Sequence, residues 1–303
     1  MSPSSMAASV KARLQNKAKE TGQVYNEVLQ FYGMERLLYR LSKSDYADRF
    51  VLKGALLFMV WEPEYERRTT MDIDLLGFTN NSPDHLEQII RAVCSVEVEN
   101  DGLEFETKNI KAQRIKEDAD YEGVRIRTFA LLEKSRIPIQ IDIGFGDALV
   151  PGDIVTQMPT LLDFPAPELR CYHQLTVIAE KFQAMIKLGE LSSRMKDFYD
   201  IWNIIQHEDI NGAELQKACV ATFLHRNTPF SLDDHFFSEE FTQSADKQIQ
   251  WAAFVRKQGL KQTAPTNFDE VVKKLHKFFR PMVEVQLSDI EFSKIWSKKG
   301  PWR

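Results

Sequence analysis

The sequence predicts an α+β protein in which an N-terminal lobe with a mixed sheet is followed by a C-terminal helical lobe. In the first half of the chain, apolar and polar residues alternate at the period of a β-strand, as in residues 137–143. From Leu175 onwards, apolar residues recur at the three- and four-residue spacing of amphipathic helices. Four prolines within residues 151–168 separate the two patterns and indicate a boundary between lobes.

The N-terminal lobe is predicted to span residues 1–165. Its apolar periodicity indicates an amphipathic opening helix, a short strand, a short helix that ends near Pro63, and three further strands. These predicted elements lie at residues 24–41, 50–52, 55–61, 71–76, 123–132 and 137–143.

The C-terminal lobe is predicted to span residues 166–303, with helices at residues 175–188, 195–206, 213–224 and 268–279. Residues 251–303 contain 11 Lys or Arg against 5 Asp or Glu, although the whole chain has a net charge of -5. Such a basic segment is typical either of a polyanion-binding surface or of a solvated helix face. On the first interpretation, the acceptor would be held by Lys273, Lys274, Lys277 and Arg280.

The composition of the 303-residue chain excludes several classes of protein. With 43% hydrophobic residues the chain is able to form a packed core, and no apolar run reaches the roughly eighteen residues of a membrane helix. The widely spaced Cys94, Cys171 and Cys219 fit neither a disulfide framework nor a zinc site, so we expect reduced, partly buried thiols. We therefore expect a cytoplasmic protein that makes no use of a membrane.

Two carboxylates lie two residues apart in an apolar segment, in the sequence Met71-Asp72-Ile73-Asp74-Leu75. On a strand these side chains leave from one face, roughly 7 Å apart along the backbone. Unpaired carboxylates among Ile and Leu are costly unless a cation neutralises them, and Mg²⁺ does so while accepting triphosphate oxygens. Asp72 and Asp74 are therefore predicted metal ligands. The alternative is an acidic strand edge or a pair of salt-bridged carboxylates.

A third carboxylate, Asp142, has the same context between Ile141 and Ile143. If its strand lies beside the first, the trio is able to bind two divalent ions about 4 Å apart, the arrangement that nucleotidyl transfer requires. A structural role for Asp142 is the alternative.

The segment Lys53-Gly54-Ala55 lies where a predicted strand turns into a helix. Glycine lets the backbone approach a phosphate, and a helix N-terminus offers free N–H donors to an anion. This segment is thus a candidate phosphate-binding turn, or else a plain turn.

A second charged segment follows the proline-rich region. Arg194, Asp197 and Asp200 recur at three-residue spacing on one predicted helix, and Lys181 lies on the helix before it. Lys181 is long enough to contact a triphosphate, whereas the alternative is an ion pair on a helix surface.

Together these motifs resemble the AbiEii-type abortive-infection toxins, a family within the DNA polymerase β-like nucleotidyltransferase superfamily. The resemblance covers about residues 20–205, and its motifs occur in the order found in the family. The matching motifs are Phe50-Val-Leu-Lys-Gly54, Arg68-x-Thr70-x-Asp72-x-Asp74, Ile141-Asp142-Ile143-Gly144, Ala179-Glu180-Lys181 and Arg194-x-Lys196-Asp197-x-Tyr199-Asp200.

The resemblance implies a polymerase β-like N-terminal lobe that uses Mg²⁺ or Mn²⁺ and a nucleoside triphosphate (NTP). It implies that Asp72 and Asp74 bind metal, that Lys181 contacts the nucleotide and that Asp197 completes the site, so that the helical lobe contributes Lys181 and Asp197 to the cleft. The matched motifs further suggest nucleotide contacts for Lys53, Gly54, Ala55, Arg68, Thr70 and Arg194.

Members of the family are similar to toxins of bacterial toxin–antitoxin and phage-defence systems, which implies a cognate antitoxin and an RNA acceptor such as a tRNA 3′ end. Nucleotidylation of a protein or small molecule, or a degenerate protein that only binds a partner, are the alternatives. One departure is that Ala55 follows Gly54, where the family usually has Gly-Gly or Gly-Ser. The loss of one hydrogen bond to phosphate would cost about 1 kcal/mol.

Overall fold

A computed structural model describes residues 3–61, 70–118 and 121–303 of the chain. The chain divides into two compact units. The first unit comprises Met1–Asp147 and Ile154–Tyr172, and the second comprises Ala148–Asp153 and His173–Arg303. Each unit is described by itself below.

The first unit contains most of the strands. In chain order its elements are α1 (Pro3–Thr21), α2 (Tyr25–Ser42), β1 (Phe50–Lys53), α3 (Leu57–Trp61), β2 (Ile73–Gly77), α4 (Pro83–Cys94), β3 (Glu104–Phe105), β4 (Lys111–Asp118), β5 (Tyr121–Leu132), β6 (Ser135–Phe145), β7 (Asp153–Gln157) and β8 (Glu168–Tyr172). Short 3-10 turns cover Ala47–Arg49, Gly54–Leu56 and Thr107–Asn109.

The second unit is largely helical. Its elements are α5 (Gln174–Leu188), α6 (Met195–His207), β9 (Ile210–Asn211), α7 (Gly212–His225), α8 (Glu239–Thr242), α9 (Ala245–Gln258), α10 (Phe268–Leu287) and β10 (Ile295–Trp296). Its 3-10 turns cover Gly189–Leu191 and His235–Phe237.

The strands form a mixed sheet in the order β3-β5-β6-β2-β1-β8-β7, and β4 also pairs with β5. Strand β2 is parallel to β6 and antiparallel to β1, while β5 is antiparallel to both β6 and β4. The alternation along β6 shows why the sheet has two different faces. Ile137, Ile139 and Ile141 are buried, with the first two against Gly33 of α2, whereas Pro138 is exposed and Gln140 is half-buried.

The predicted α+β class with a mixed sheet and a helical C-terminal part is confirmed. The helix predicted at residues 24–41 is α2, and the strands at 123–132 and 137–143 are β5 and β6. The strand predicted at 71–76 begins only at Ile73, so Asp72 precedes it. Pro63, where the short helix was predicted to end, lies outside the described residues.

The four predicted C-terminal helices correspond to α5, α6, α7 and α10. They bury an aromatic core in which Phe182 and Phe279 stack with ring centroids 3.8 Å apart. The three cysteines are free, as predicted, and all three are buried where partial burial was predicted. Throughout the residues that the structure describes, no helix has both the length and the apolar character needed to cross a bilayer.

Three of the four basic residues of α10 that were predicted to hold an acceptor are engaged within the chain. Lys273 pairs with Asp269 of the same helix at 2.8 Å. The ammonium of Lys274 donates to the carbonyl of Lys299 and lies over a tryptophan ring, and Arg280 donates to the carbonyl of Phe237. These contacts favour a structural role for this helix face. They weaken the prediction that this face holds the acceptor.

A buried charged network connects α2 to the loops around it. Arg36 and Arg40 both bond Asp101, at 3.0 and 2.7 Å, and all three are buried. Glu35 is fully buried beside them and accepts the N–H of Leu161 at 2.7 Å. Burial raises the pKa of Glu35 to about 7, although the Leu161 N–H and the Arg36 charge act in the opposite direction.

Replacing Glu35 with glutamine should stabilise the protein at neutral and alkaline pH. A carboxyl whose pKa is raised on folding, here from 4.5 to about 7, stabilises the fold fully below pH 4.5, and this contribution is lost as pH rises through 7. Denaturant unfolding from pH 4.5 upwards should therefore show the variant gaining about 3 kcal/mol or less over the parent. Glu27→Gln on the same helix is the control, and an equal pH profile for the Glu35 variant and parent would contradict the expectation.

Candidate active site

Three carboxylates converge on one face of the sheet in the first unit. In the parallel pairing of β2 with β6, Asp74 lies directly opposite Asp142, so their side chains share a face. Asp72, just before β2, joins them, and one carboxylate oxygen from each residue lies within 4.8 Å of the others. Asp142 is buried, and the other two are half-buried. The predicted trio is thus brought together by the register of two strands that are far apart in sequence.

A basic residue, Arg125, belongs to the same site as the three carboxylates, and it was not predicted from the sequence. It lies opposite Asp142 in the antiparallel β5–β6 pairing. Its Nε and Nη2 donate to the two oxygens of Asp142 at 2.8 and 2.6 Å, a bidentate contact. The hydrogen bonds to Asp142, with the charges of Asp72 and Asp74, raise the pKa of Arg125. The guanidinium therefore offsets one of the three negative charges and fixes the orientation of Asp142.

On the other side of Asp74, the chain turns at Gly54. Strand β1 ends at Lys53, which lies opposite Asp74 in the antiparallel β1–β2 pairing. Gly54 has a φ of +75°, and a Cβ built there would overlap the Asp74 carboxylate, 2.7 Å from its Cγ. The Lys53 ammonium pairs with Asp147 at 3.1 Å, and Tyr172 donates to the same carboxylate at 3.3 Å. Glycine is required here because backbone and carboxylate are in direct contact.

Other predicted nucleotide contacts in this unit lie around the same group. Thr70 donates to Oδ1 of Asp72 at 2.9 Å, so its hydroxyl orients a member of the trio. Ala55 is buried in the 3-10 turn that follows β1, and the α-helix begins at Leu57. Arg68 lies outside the described residues.

The second unit holds the remaining predicted site residues, which form a cluster of their own. Lys181 of α5 pairs with Asp197 and Asp200 of α6 at 2.6 and 2.9 Å. Arg194, which precedes α6, pairs with Asp197 at 2.7 Å. Both carboxylates have side chains only 1% exposed, so these ion pairs are internal to the unit.

The charge balance in this cluster is visible in Asp197. Burial alone would raise the pKa of this carboxyl, but Lys181 and Arg194 outweigh that effect and lower it to about 2. Asp197 is therefore an anion at any physiological pH. Arg194 and Asp197 form the i,i+3 ion pair of the alternative interpretation, but Asp197 is buried and does not lie on a helix surface. A contact of Lys181 with nucleotide stays a prediction.

The donor set of the first unit fits a divalent cation. Carboxylate oxygens are the ligands that Mg²⁺ and Mn²⁺ prefer, and three of them converge here. Each carboxylate has about four lone-pair sites, so Asp142 retains acceptor capacity after its two bonds from Arg125. With Arg125 included, the group has a net charge close to that which one divalent ion neutralises.

Replacing Gly54 with alanine should weaken divalent-ion binding by about tenfold or more, because the added Cβ must displace the Asp74 carboxylate. Mn²⁺ titration by calorimetry measures this change. Gly22→Ala is the matched control, since Gly22 also has a positive φ, of +68°, but a Cβ there meets nothing within 4 Å. Equal Mn²⁺ affinity in both variants would show that the close approach of Gly54 to Asp74 does not matter.

Comparison with known proteins gives one family match. A family model described as "Nucleotidyl transferase AbiEii toxin, Type IV TA system" matches residues 36–274. No curated protein matches the sequence. Among solved structures, the chain is similar to JHP933 from Helicobacter pylori, with 13% identity, a TM-score of 0.42, and coverage of 84% of this chain and 90% of the other.

A second H. pylori structure, of a protein provisionally named a nucleotidyltransferase, gives similar values. Its identity is 13% and its TM-score 0.41, and the alignment covers 84% of this chain and 93% of that one.

Proposed function

The chain belongs to the AbiEii nucleotidyl transferase toxin family, and on this premise we propose that it transfers a nucleoside monophosphate from an NTP to RNA. The proposed acceptor is the 3′ end of a tRNA, and the proposed setting is the bacterial cytoplasm. There the enzyme would act as the toxin of a toxin–antitoxin pair, restrained by a cognate antitoxin, with a role in phage defence.

The observation that carries this proposal is the convergence of Asp72, Asp74 and Asp142 within 4.8 Å beside the turn at Gly54. Nucleotidyl transfer needs charge neutralisation and positioning more than covalent chemistry, because the transition state spreads negative charge over phosphoryl oxygens. The carboxylate trio would bind the cation that neutralises this charge. The turn at Gly54, where the backbone lies close to an anionic group, would help to position the triphosphate.

We assign the individual roles as follows. Asp72, Asp74 and Asp142 would hold Mg²⁺ or Mn²⁺, which would neutralise phosphate charge and lower the pKa of the acceptor hydroxyl. Gly54 would contact the triphosphate through its backbone alone, because the Asp74 carboxylate already fills the space left by the missing Cβ. Lys53 lies on the same sheet face as Asp74. The assignment of Lys181 and Asp197 to catalysis, and of Ala55, Arg68, Thr70 and Arg194 to nucleotide binding, is retained as prediction.

The test follows the fate of a labelled nucleotide. The purified protein is incubated with bacterial lysate and with each α-³²P-labelled NTP in turn, and RNA, protein and small molecules are separated. We expect label in RNA of tRNA size, and none with the Asp72→Asn variant. Label in protein or in small molecules would replace the acceptor, and label in no fraction would overturn the enzymatic function.

A further inference from the structure

A pocket of about 260 Å³ lies beside Asp72 in the first unit, on the side away from Gly54. We call it the β6 pocket, and its lining includes Gln30, Asp72, Arg127, Phe129, Pro138 and Gln140. It exists because β2 pairs with β6 only from Ile73–Ile141 onwards, so the earlier part of β6 extends past the end of β2. Its volume is just below the roughly 300–1,000 Å³ of pockets for drug-sized ligands, which suits a single nucleotide unit.

The side chains of the pocket are suited to a nucleotide. Pro138 offers apolar contact, and Phe129 lines the pocket with one ring face covered by the guanidinium of Arg136, 3.5 Å from the ring centroid. The amide of Gln140, whose Nε2 donates to Asp142 at 3.5 Å, would exchange that bond for one to a base edge. Arg127 is exposed, and its Nε donates to Oε1 of Gln140 at 3.3 Å, a neutral partner that does not offset the guanidinium charge. The pocket therefore joins a metal-ligand candidate, Asp72, to a cation positioned for a phosphate.

A second exposed cation lies farther from the carboxylate trio on the same face of the sheet. Lys111 lies opposite Arg127 in the antiparallel β4–β5 pairing, on the same face, and is exposed. Gln113 lies opposite Arg125 one row nearer the trio and is also exposed. A path thus runs from Asp72 past Gln140 and Arg127 to Lys111. Charge complementarity points to a polyanion as its occupant.

The order of strands separates this path from the proposed phosphate turn. Lys53 and Gly54 adjoin Asp74 from the β1 side, whereas Arg127 and Gln140 approach Asp72 from the β5–β6 side. In-line transfer requires the attacking and leaving oxygens to lie on opposite sides of the phosphorus. If the triphosphate occupies the β1 side, the acceptor belongs on the other side.

We propose that the β6 pocket binds the terminal nucleotide of a single-stranded RNA acceptor, with Arg127 and Lys111 contacting phosphates of that strand. This inference rests on the proposed function and adds the acceptor site to it. It also places the acceptor on the sheet of the first unit instead of on the basic face of α10.

The test measures RNA and nucleotide affinities separately, without a transfer step. The probe is a fluorescent single-stranded oligoadenylate with a free 3′-hydroxyl, followed by anisotropy over a range of salt concentrations. Arg127→Gln should raise its Kd about tenfold and reduce the slope of log Kd against log salt by about 0.7, while the Kd of an ATP analogue stays unchanged. Lys111→Gln should act in the same direction. The control is Lys134→Gln, in the exposed turn between β5 and β6, which should leave both affinities unchanged.

The contrary outcomes are distinct. Loss of ATP-analogue affinity with RNA affinity retained in Arg127→Gln would make the pocket the site of the incoming nucleotide. No change in either affinity would show that the pocket binds no nucleotide. RNA binding that depends on Arg127, in a protein that labels no cell fraction, would uphold the pocket while removing the proposed transfer reaction.

Discussion

Replacing Asp74 with asparagine should lower the rate of nucleotidyl transfer by about 10³-fold. Asp74 is central in the acidic group, since it lies opposite Asp142 on one neighbouring strand and opposite Lys53 on the other. The amide keeps the size of the side chain but removes the anionic oxygen that a hard divalent cation prefers. Binding of the oligoadenylate should persist, because the β6 pocket does not include Asp74.

The measurement is the initial rate of label incorporation into RNA at saturating Mg²⁺, together with circular dichroism to establish that the variant folds. Asp84→Asn is the matched control, because Asp84 is an exposed carboxylate in the first turn of α4 in the same unit. It should retain the parental rate. A parental rate in Asp74→Asn would remove the carboxylate trio from the mechanism.

The second large effect is on stability, where Lys181→Met should lower the free energy of unfolding by about 3–5 kcal/mol. Lys181 is the shared partner of Asp197 and Asp200, at 2.6 and 2.9 Å, and both carboxylates are 1% exposed. Without the ammonium of Lys181, the buried carboxylates of Asp197 and Asp200 lose a positive charge that stabilises them. Because the pKa of Asp197 is lowered from 3.8 to about 2, its stabilising contribution is present above pH 3.8 and is lost as pH falls to 2.

Urea denaturation near neutral pH, followed by far-UV circular dichroism, measures the loss. Lys217→Met is the control, because Lys217 is exposed on α7 of the same unit. Comparison with Lys181→Arg separates the two roles of the residue. If Lys181 acts only through its ion pairs, arginine restores both stability and transfer. If its ammonium also contacts the reacting nucleotide, stability returns without the rate. Unchanged stability in Lys181→Met would contradict the structural account.

Much of the fold could be predicted because local periodicity reports which side of an element is buried. The alternation in residues 137–143 identified β6, and the helical spacing from Leu175 identified α5. Some of the missed elements have weak or short patterns, such as α1 and the two-residue β3. Helix α4 (Pro83–Cys94) was missed although its buried apolar residues recur at helical spacing. In α1, only a narrow line of small and apolar residues is buried, including Val10 and Leu14, so its amphipathic signal is weak.

Arg125 is a site residue that local sequence patterns did not reveal. Its charge in the alternating segment of β5 is ordinary for an exposed strand residue, and nothing nearby in sequence marks it. Its register follows from the tight turn between Leu132 and Ser135, which pairs residues along the hairpin until Arg125 meets Asp142. A reading of Glu133-Lys134 as a two-residue hairpin loop would have placed Arg125 opposite Asp142.

The sequence by itself determined the chemistry available to this protein. A carboxylate pair at i and i+2 in an apolar segment, and a glycine at position 54 that permits a backbone path other residues resist, could be singled out without coordinates. These signals depend only on residue types and their spacing. The predicted strand geometry holds for Asp74, whereas Asp72 lies before β2 begins at Ile73.

Only the tertiary structure decided which of these groups meet. The pairing of β2 with β6 sets Asp142 beside Asp74, and the early end of β2 opens the pocket at Asp72. Strand order and register depend on how whole apolar faces pack, a non-local balance that short segments do not encode. For the same reason, the basic residues of α10 stood out in the sequence, yet Lys274 and Arg280 make their contacts within their own unit.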